Sequence, residues 1–141
     1  MSIPQIVIDT NVIIAALRSN RGASYKLLLL LGNDRFEANM SAPLALEYED
    51  AAKRLLGSIA LNAAEIEDIL DYIFSVTNHH EIFYLWRPFL KDPKDDMVLE
   101  LAVKANCNII VTYNKGDFQE LEQFGIRAMT AKEFLQEIGE L

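Results

Sequence analysis

Two short apolar runs, one near each end of the chain, constrain the fold more than any other feature. Ile6-Val7-Ile8 stops at Asp9, and Ile109-Ile110-Val111 stops at Thr112. Both runs are β-branched and continuous rather than alternating, the pattern of strands covered by helices on both faces and hence of a parallel sheet. Helical patterns fill the space between. Val12 to Leu17 and Ala23 to Leu31 predict a helical pair with Arg21-Gly22 between them, and Leu44 to Leu56 follows Pro43, a residue tolerated in a first helical turn. Asn62 to Val76 carries Ile66, Ile69, Leu70 and Ile73 on one stripe. Asp95 to Ala105 is a further helix, and Ala131 to Ile138 follows Thr130 as its cap. Short extended pieces near Phe36 to Met40, Ile82 to Leu85 and Arg127 to Met129 would complete the sheet. This alternation predicts a compact α/β domain with a mostly parallel sheet. Ligands of such sheets bind beyond the carboxyl ends of the strands, where Asp9 and Thr112 would stand.

Composition narrows the function classes. A length of 141 residues suits one domain over 1–141, and the chain shows no repeat, low-complexity tract or Gly/Ser linker to divide it. A net charge of −8 argues against holding nucleic acid through an overall positive field, and leaves room for acids gathered around a cation. A single cysteine, Cys107, excludes an internal disulfide framework and a cysteine-based zinc site, and fits a reducing compartment. Met1 to Gln5 lacks the basic flank and apolar stretch of a signal peptide. The longest aliphatic run, Leu27 to Leu31, falls far short of the roughly 20 residues that span a bilayer. A cytoplasmic protein is expected.

Four acids stand out against their ordinary structural uses. Asp9 opens Asp9-Thr10-Asn11, three capping-type residues where a helix needs one. Glu49 and Asp50 have Lys53 and Arg54 four residues on, the favourable order for surface pairs. Glu47 instead has Pro43, Leu44 and Ala51 at i−4, i−3 and i+4, which puts it along the apolar stripe, either at a solvated edge or facing a cation. In Lys91-Asp92-Pro93-Lys94-Asp95-Asp96, Asp92 reads as an N-cap before proline, and Asp95 at N3 suits the helix dipole. Capping does not account for Asp96, which leads an inward face through Leu99 and Val103, with Asp95 as its substitute because helix starts shift by a residue or two. Asp117 follows the second strand, where it could cap a helix with Glu120 at N3 or join the other acids.

Together these positions put four acids at strand ends or helix starts of one sheet. Two carboxylates about 4 Å apart repel by roughly 4 kcal/mol at an effective dielectric of 20. A cluster must therefore protonate in part or recruit a divalent cation. An all-oxygen site favours Mg²⁺ or Mn²⁺ over zinc, and such a metal polarises a phosphodiester and acidifies an attacking water. Hydrolytic phosphoryl transfer is the chemistry that follows.

The ordered landmarks Ile6-Val7-Ile8-Asp9-Thr10-Asn11-Val12, Leu46-Glu47-Tyr48, Asp92-Pro93-Lys94-Asp95-Asp96, Ile110-Val111-Thr112 with Asp117-Phe118, and Thr130 to Leu135 span essentially the whole chain. In that set the chain resembles the PIN domain, and within it the VapC-like toxins of toxin–antitoxin systems. The resemblance implies a three-layer α/β/α fold and a metal-dependent endoribonuclease. Carried over by position, Asp9, Glu47, Asp96 and Asp117 are the acidic quartet for Mg²⁺ or Mn²⁺. Thr10 or Asn11 would orient Asp9, and Thr112 and Asn114 would line the pocket. Asn114 stands where many members carry another acid, which implies a weaker second metal. The resemblance also implies a homodimer, an RNA substrate and an antitoxin partner.

Among the cations Arg18, Arg21, Lys26, Lys53, Arg54, Arg87, Lys91 and Lys115, Lys115 is the best candidate to touch substrate, because its loop carries Asp117. His79-His80 reads as a loop pair rather than a metal site, since adjacent side chains diverge. Tyr72, Phe74, Phe83, Tyr84 and Trp86 read as core or dimer contacts. Two alternatives remain at this level. One is a haloacid dehalogenase-like phosphatase using Asp9 as nucleophile, against which Asn11 stands where a second Asp is needed. The other is a non-catalytic dimeric interaction domain.

Overall fold

The computed structural model describes residues 3–81 and 93–141. Strands β1 (Gln5–Ile8), β2 (Glu37–Ser41), β3 (Asn78–His80), β4 (Ile109–Val111) and β5 (Arg127–Met129) form one sheet in the order β3-β2-β1-β4-β5, with every pairing parallel. Helices α1 (Thr10–Arg18) and α2 (Ala23–Leu29) lead from β1 to β2, and α3 (Ala42–Lys53) and α4 (Ala63–Ser75) lead on to β3. Helix α5 (Pro93–Lys104) precedes β4, a 3-10 stretch (Lys115–Phe124) joins β4 to β5, and α6 (Ala131–Glu137) follows. The steps from β1 to β2 to β3 and the return to β4 run in opposite directions along the sheet. Right-handed connections put them on opposite faces, which gives the three layers. The strand order therefore reverses between β1 and β4, and a crevice opens at their carboxyl ends.

Both apolar runs are strands as expected, and Ile6, Val7, Ile110 and Val111 are wholly inaccessible. The α6 layer is pinned by Phe134, which meets Phe36 edge-on at 5.3 Å between ring centroids. Thr130 caps α6 as its sequence context predicts, in a full capping box: its hydroxyl accepts the Glu133 N–H at 3.1 Å and the Glu133 carboxylate accepts the Thr130 N–H at 2.8 Å. Thr130→Ala should lower stability by about 1 kcal/mol, read as a fall of roughly 3–5 °C in melting temperature.

One expectation needs correction, and another falls on residues that are not described. The edge strand is Asn78–His80, whereas the expected piece at Ile82 to Leu85 lies outside the described residues. His79-His80 is accordingly a strand pair, not a loop pair: His79 Nε2 bonds the Phe74 carbonyl at 2.7 Å and His80 Nε2 bonds Asn39 Oδ1 at 2.8 Å. Apolarity could not reveal this strand. Among the described residues it pairs with β2 alone, so its three polar residues satisfy an edge and need no apolar cover. Among the aromatics, Tyr72 gives its hydroxyl to the Leu31 carbonyl at 2.9 Å and Phe74 is half-buried; Phe83, Tyr84 and Trp86 lie outside the described residues.

Candidate active site

Asp9 stands at the strand-order reversal. Its N–H donates to the Val111 carbonyl at 2.8 Å, which carries the β1–β4 ladder one residue past the strands. Its extended backbone and the 2.8 Å bond from the Thr10 N–H to its Oδ1 make it the N-cap of α1, so the helix starts at Thr10 rather than Val12. Capping does not exhaust the carboxylate. Its Oδ2 accepts the Thr112 hydroxyl at 2.8 Å, with a longer contact from Asn11 Nδ2 at 3.4 Å. The main orienting groups are thus the Thr10 main chain and the Thr112 hydroxyl, and the Asn11 side chain is secondary.

Thr112 is a hub with no exposed surface. Its Oγ1 also accepts Asn11 Nδ2 at 3.3 Å and the Asn114 N–H at 3.0 Å, while Asn11 Oδ1 takes the Tyr113 N–H at 3.2 Å. The start of α1 and the loop after β4 are thereby tied together around one carboxylate.

Electrostatics then brings in two further acids. Burial raises the Asp9 pKa above the ordinary carboxylate value; the Thr112 and Thr10 hydrogen bonds oppose this, and the charges of Asp117 and then Glu47 push it up again. Asp117 is exposed, in the first turn of the 3-10 stretch, which Phe118 and Leu121 anchor in the core. The position preceding that stretch is Asn114, so Asp117 does not serve as its N-cap. Glu47 is half-buried on α3.

Next to Glu47 lies a residue whose part the sequence did not reveal. Tyr48 is 1% exposed and gives its hydroxyl to the Ile8 carbonyl, which fastens the Glu47 turn of α3 to the end of β1. Burial, and after it the Asp9 charge, lifts the Tyr48 pKa well above the usual phenol value, so it stays a hydrogen-bond donor. The signal was an aromatic hydroxyl on the apolar stripe, one turn past Leu44. Tyr48→Phe would strip the buried Ile8 carbonyl of this donor and should destabilise the fold by roughly 1–3 kcal/mol, measured by urea unfolding.

Asp96 is 9% exposed in the first turn of α5. That helix packs on β1, β2 and α3. Its 12 residues span about 18 Å, and its last turn feeds the amino end of β4. Its first turn therefore lies toward the carboxyl end of the sheet. Asp95 beside it is half-buried, and Glu100, one turn on, is a further buried acid with no distinguishing signal in the sequence. Asp92, Arg87 and Lys91 lie outside the described residues.

Among the described residues, no three His, Cys, Asp or Glu side chains form a ready-made metal cage. The donors around Asp9 nonetheless fit a hard divalent cation. They are all oxygen, and a carboxylate held above its ordinary range by burial and two like charges is relieved by positive charge. The basic candidates are largely engaged elsewhere. Lys115 pairs with both Glu133 oxygens at 3.0 Å, Lys53 pairs with Glu49 at 2.6 Å, and Lys26 donates to the Glu140 carbonyl. Arg54 gives its Nε–H to the Asp50 main-chain carbonyl at 3.2 Å rather than to the carboxylate.

A parallel sheet with this order, and an aspartate fixed at its reversal by a neighbouring strand's threonine, defines a class. The PIN-domain family model matches residues 5–116, which include Asp9, Glu47 and Asp96, with Asp117 one position beyond. The chain belongs to the PIN-domain family, whose members are generally nucleases. Among solved structures, it is similar to a chain in the crystal structure of VapBC2 from Rickettsia felis bound to a DNA fragment from their promoter. The identity is 12%, covering 89% of this chain and 98% of that one, with a TM-score of 0.59. That likeness is one of fold. No curated protein sequence matches significantly. Family membership displaces the haloacid dehalogenase-like alternative, and Asn11 is occupied in bracing Thr112 and Tyr113.

Proposed function

We propose that this protein is a metal-dependent endoribonuclease and the toxin of a toxin–antitoxin pair, acting as a cytoplasmic homodimer. The observation that carries this reading is Asp9: a buried carboxylate at the strand-order reversal, held on both oxygens and lying in the fields of Glu47 and Asp117. Asp9, Glu47 and Asp96, with Asp95 as the neighbouring substitute, would hold Mg²⁺ or Mn²⁺, and Asp117 would assist that ion or a second one. The open arrangement does not conflict with magnesium, which commonly takes one or two carboxylates and completes its shell with waters and substrate phosphate. When bound, the ion would supply Lewis-acid polarisation of the phosphodiester and a more acidic water.

The chain's own groups do the positioning. Thr10 and Thr112 aim the Asp9 carboxylate, Asn11 and Asn114 hold Thr112, and Tyr48 sets the height of Glu47. Lys115 would reach a substrate phosphate by exchanging it for Glu133. The antitoxin part draws support from the toxin–antitoxin complex whose chain shares the fold, and from an apolar groove of about 700 Å³ between α1, α2 and α4. Leu17, Leu28, Ile69 and Tyr72 line it, and Arg18 and Arg21 stand at its edge. Among the described residues no helix is long and apolar enough to cross a membrane.

The test is cleavage of single-stranded RNA by the purified protein with Mn²⁺ and with EDTA. Cutting in Mn²⁺ that stops on chelation is expected. Undiminished cutting in EDTA would overturn the metal assignment, and no cutting under any divalent ion would overturn the nuclease.

A further inference from the structure

The nuclease reading leaves open how so acidic a chain holds RNA. With a net charge of −8, and with Lys26 and Lys53 already bonded within the protein, the counterion-release term that dominates most nucleic-acid binding is reduced here. Contacts that are not ionic would therefore add to the affinity.

One side chain beside the site has that capacity. Tyr113 follows Thr112 directly and is 46% exposed, a large ring left in solvent next to the buried Asp9 carboxylate. It is nonetheless fixed at both ends. Its N–H donates to Asn11 Oδ1 at 3.2 Å, and its hydroxyl pairs with the hydroxyl of Ser24, a residue 2% exposed at the start of α2. A core-packing role would bury the ring, and an idle surface tyrosine would need neither anchor. Holding an aromatic ring rigid before binding spares the ordering entropy that a mobile side chain would lose. A rigid exposed aromatic face is what a splayed nucleobase stacks on.

Resting on the nuclease reading, we infer that Tyr113, oriented by Ser24, is a stacking platform for the base beside the phosphodiester that Asp9 serves. The platform takes single-stranded substrate, because a paired base does not expose its face. Stacking is tolerant of base identity, so this contact gives affinity and register rather than sequence choice.

The test measures binding of fluorescent single strands to Asp9→Asn protein, which keeps the fold and the Tyr113 loop but not the activity. One strand is an oligoribonucleotide and the other an abasic ribose-phosphate oligomer of equal length. Adding Tyr113→Ala should weaken binding of the base-bearing strand by about 10-fold and leave binding of the abasic strand unaltered. Tyr113→Phe should restore most of the loss, and Ser24→Ala should show a smaller loss of the same kind. Equal weakening on both strands would mean a structural role and overturn the platform. So would unaltered binding of the base-bearing strand to Tyr113→Ala, even with the wild type cutting RNA, and the nuclease reading would then stand. If the wild type neither binds nor cuts any strand, the nuclease reading falls and the platform with it.

Discussion

Asp9→Asn should abolish RNA cleavage and yet leave the metal-free protein at least as stable as the wild type. The rate should drop by more than about 100-fold, the upper end of what loss of a mere outer partner of a metal site costs. Stability runs the other way because of what holds the native carboxylate. Burial, and then the Asp117 and Glu47 charges, raise its pKa above the value an unfolded chain would show. Across the interval between those two values the native state binds more protons, so stability falls as pH rises through it, and the deficit persists at neutral pH. Asparagine carries no charge to lose. It can still accept the Thr10 N–H as an N-cap, since Asn and Asp cap equally well. In EDTA at pH 7 the melting temperature of Asp9→Asn should therefore equal or exceed that of the wild type, and the difference should shrink under acid conditions.

Adding Mn²⁺ should reverse the ranking. A cation bound only by the native wild type at about 100 times its dissociation constant adds roughly 2.7 kcal/mol, or about 10 °C, and the variant should gain little. Thermal denaturation with and without the ion measures both effects. A variant less stable in EDTA, with no manganese response in the wild type, would mean that Asp9 is only a helix cap. The non-catalytic reading would then gain ground.

How much of this was legible in the sequence depended on whether the information was local. The strands Gln5–Ile8 and Ile109–Val111 were legible because burial on both faces leaves a continuous apolar run. The Thr130 cap was legible because its partner sits three residues on. The edge strand Asn78–His80 was not, since a strand bonded on one side alone among the described residues is under no pressure to be apolar. At the site, Asp9 and Thr112 could be placed at strand ends, but the hydrogen bond between them joins residues 103 apart in the chain. Spacing along the chain has nothing to say about such a pair. Tyr48 was hidden for a related reason: its sequence position fits a core aromatic, and only the tertiary approach of α3 to β1 shows the Ile8 carbonyl as its partner. Lys115 stands out in the sequence for the loop it occupies, whereas its partner Glu133 comes from a helix that arrives later in the chain.

The long-range hydrogen bond yields the second large effect. Thr112→Val preserves shape and removes one hydroxyl, which serves Asp9 Oδ2, Asn11 Nδ2 and the Asn114 N–H together. Hydrogen bonds to charged groups are worth about 1.5–3 kcal/mol, and the metal-free variant should lose about that much at neutral pH. The sign of its pH dependence is fixed by the Thr112 bond itself. That bond lowers the Asp9 pKa, so it contributes while Asp9 is ionised and its contribution fades as pH falls and Asp9 protonates. The gap between wild type and Thr112→Val in urea unfolding should thus be widest at neutral pH and narrow on acidification. Cleavage should fall by about 10–100-fold, the range for loss of an outer partner that orients a metal-binding carboxylate, and part of the loss should return at higher Mn²⁺. Removing Thr112 also releases Asn114, and with it the loop that carries Tyr113 and Asp117, so substrate affinity should suffer alongside metal affinity. A stability gap that stays constant from acid to neutral pH would show that the hydroxyl supports packing and leaves the Asp9 carboxylate untouched.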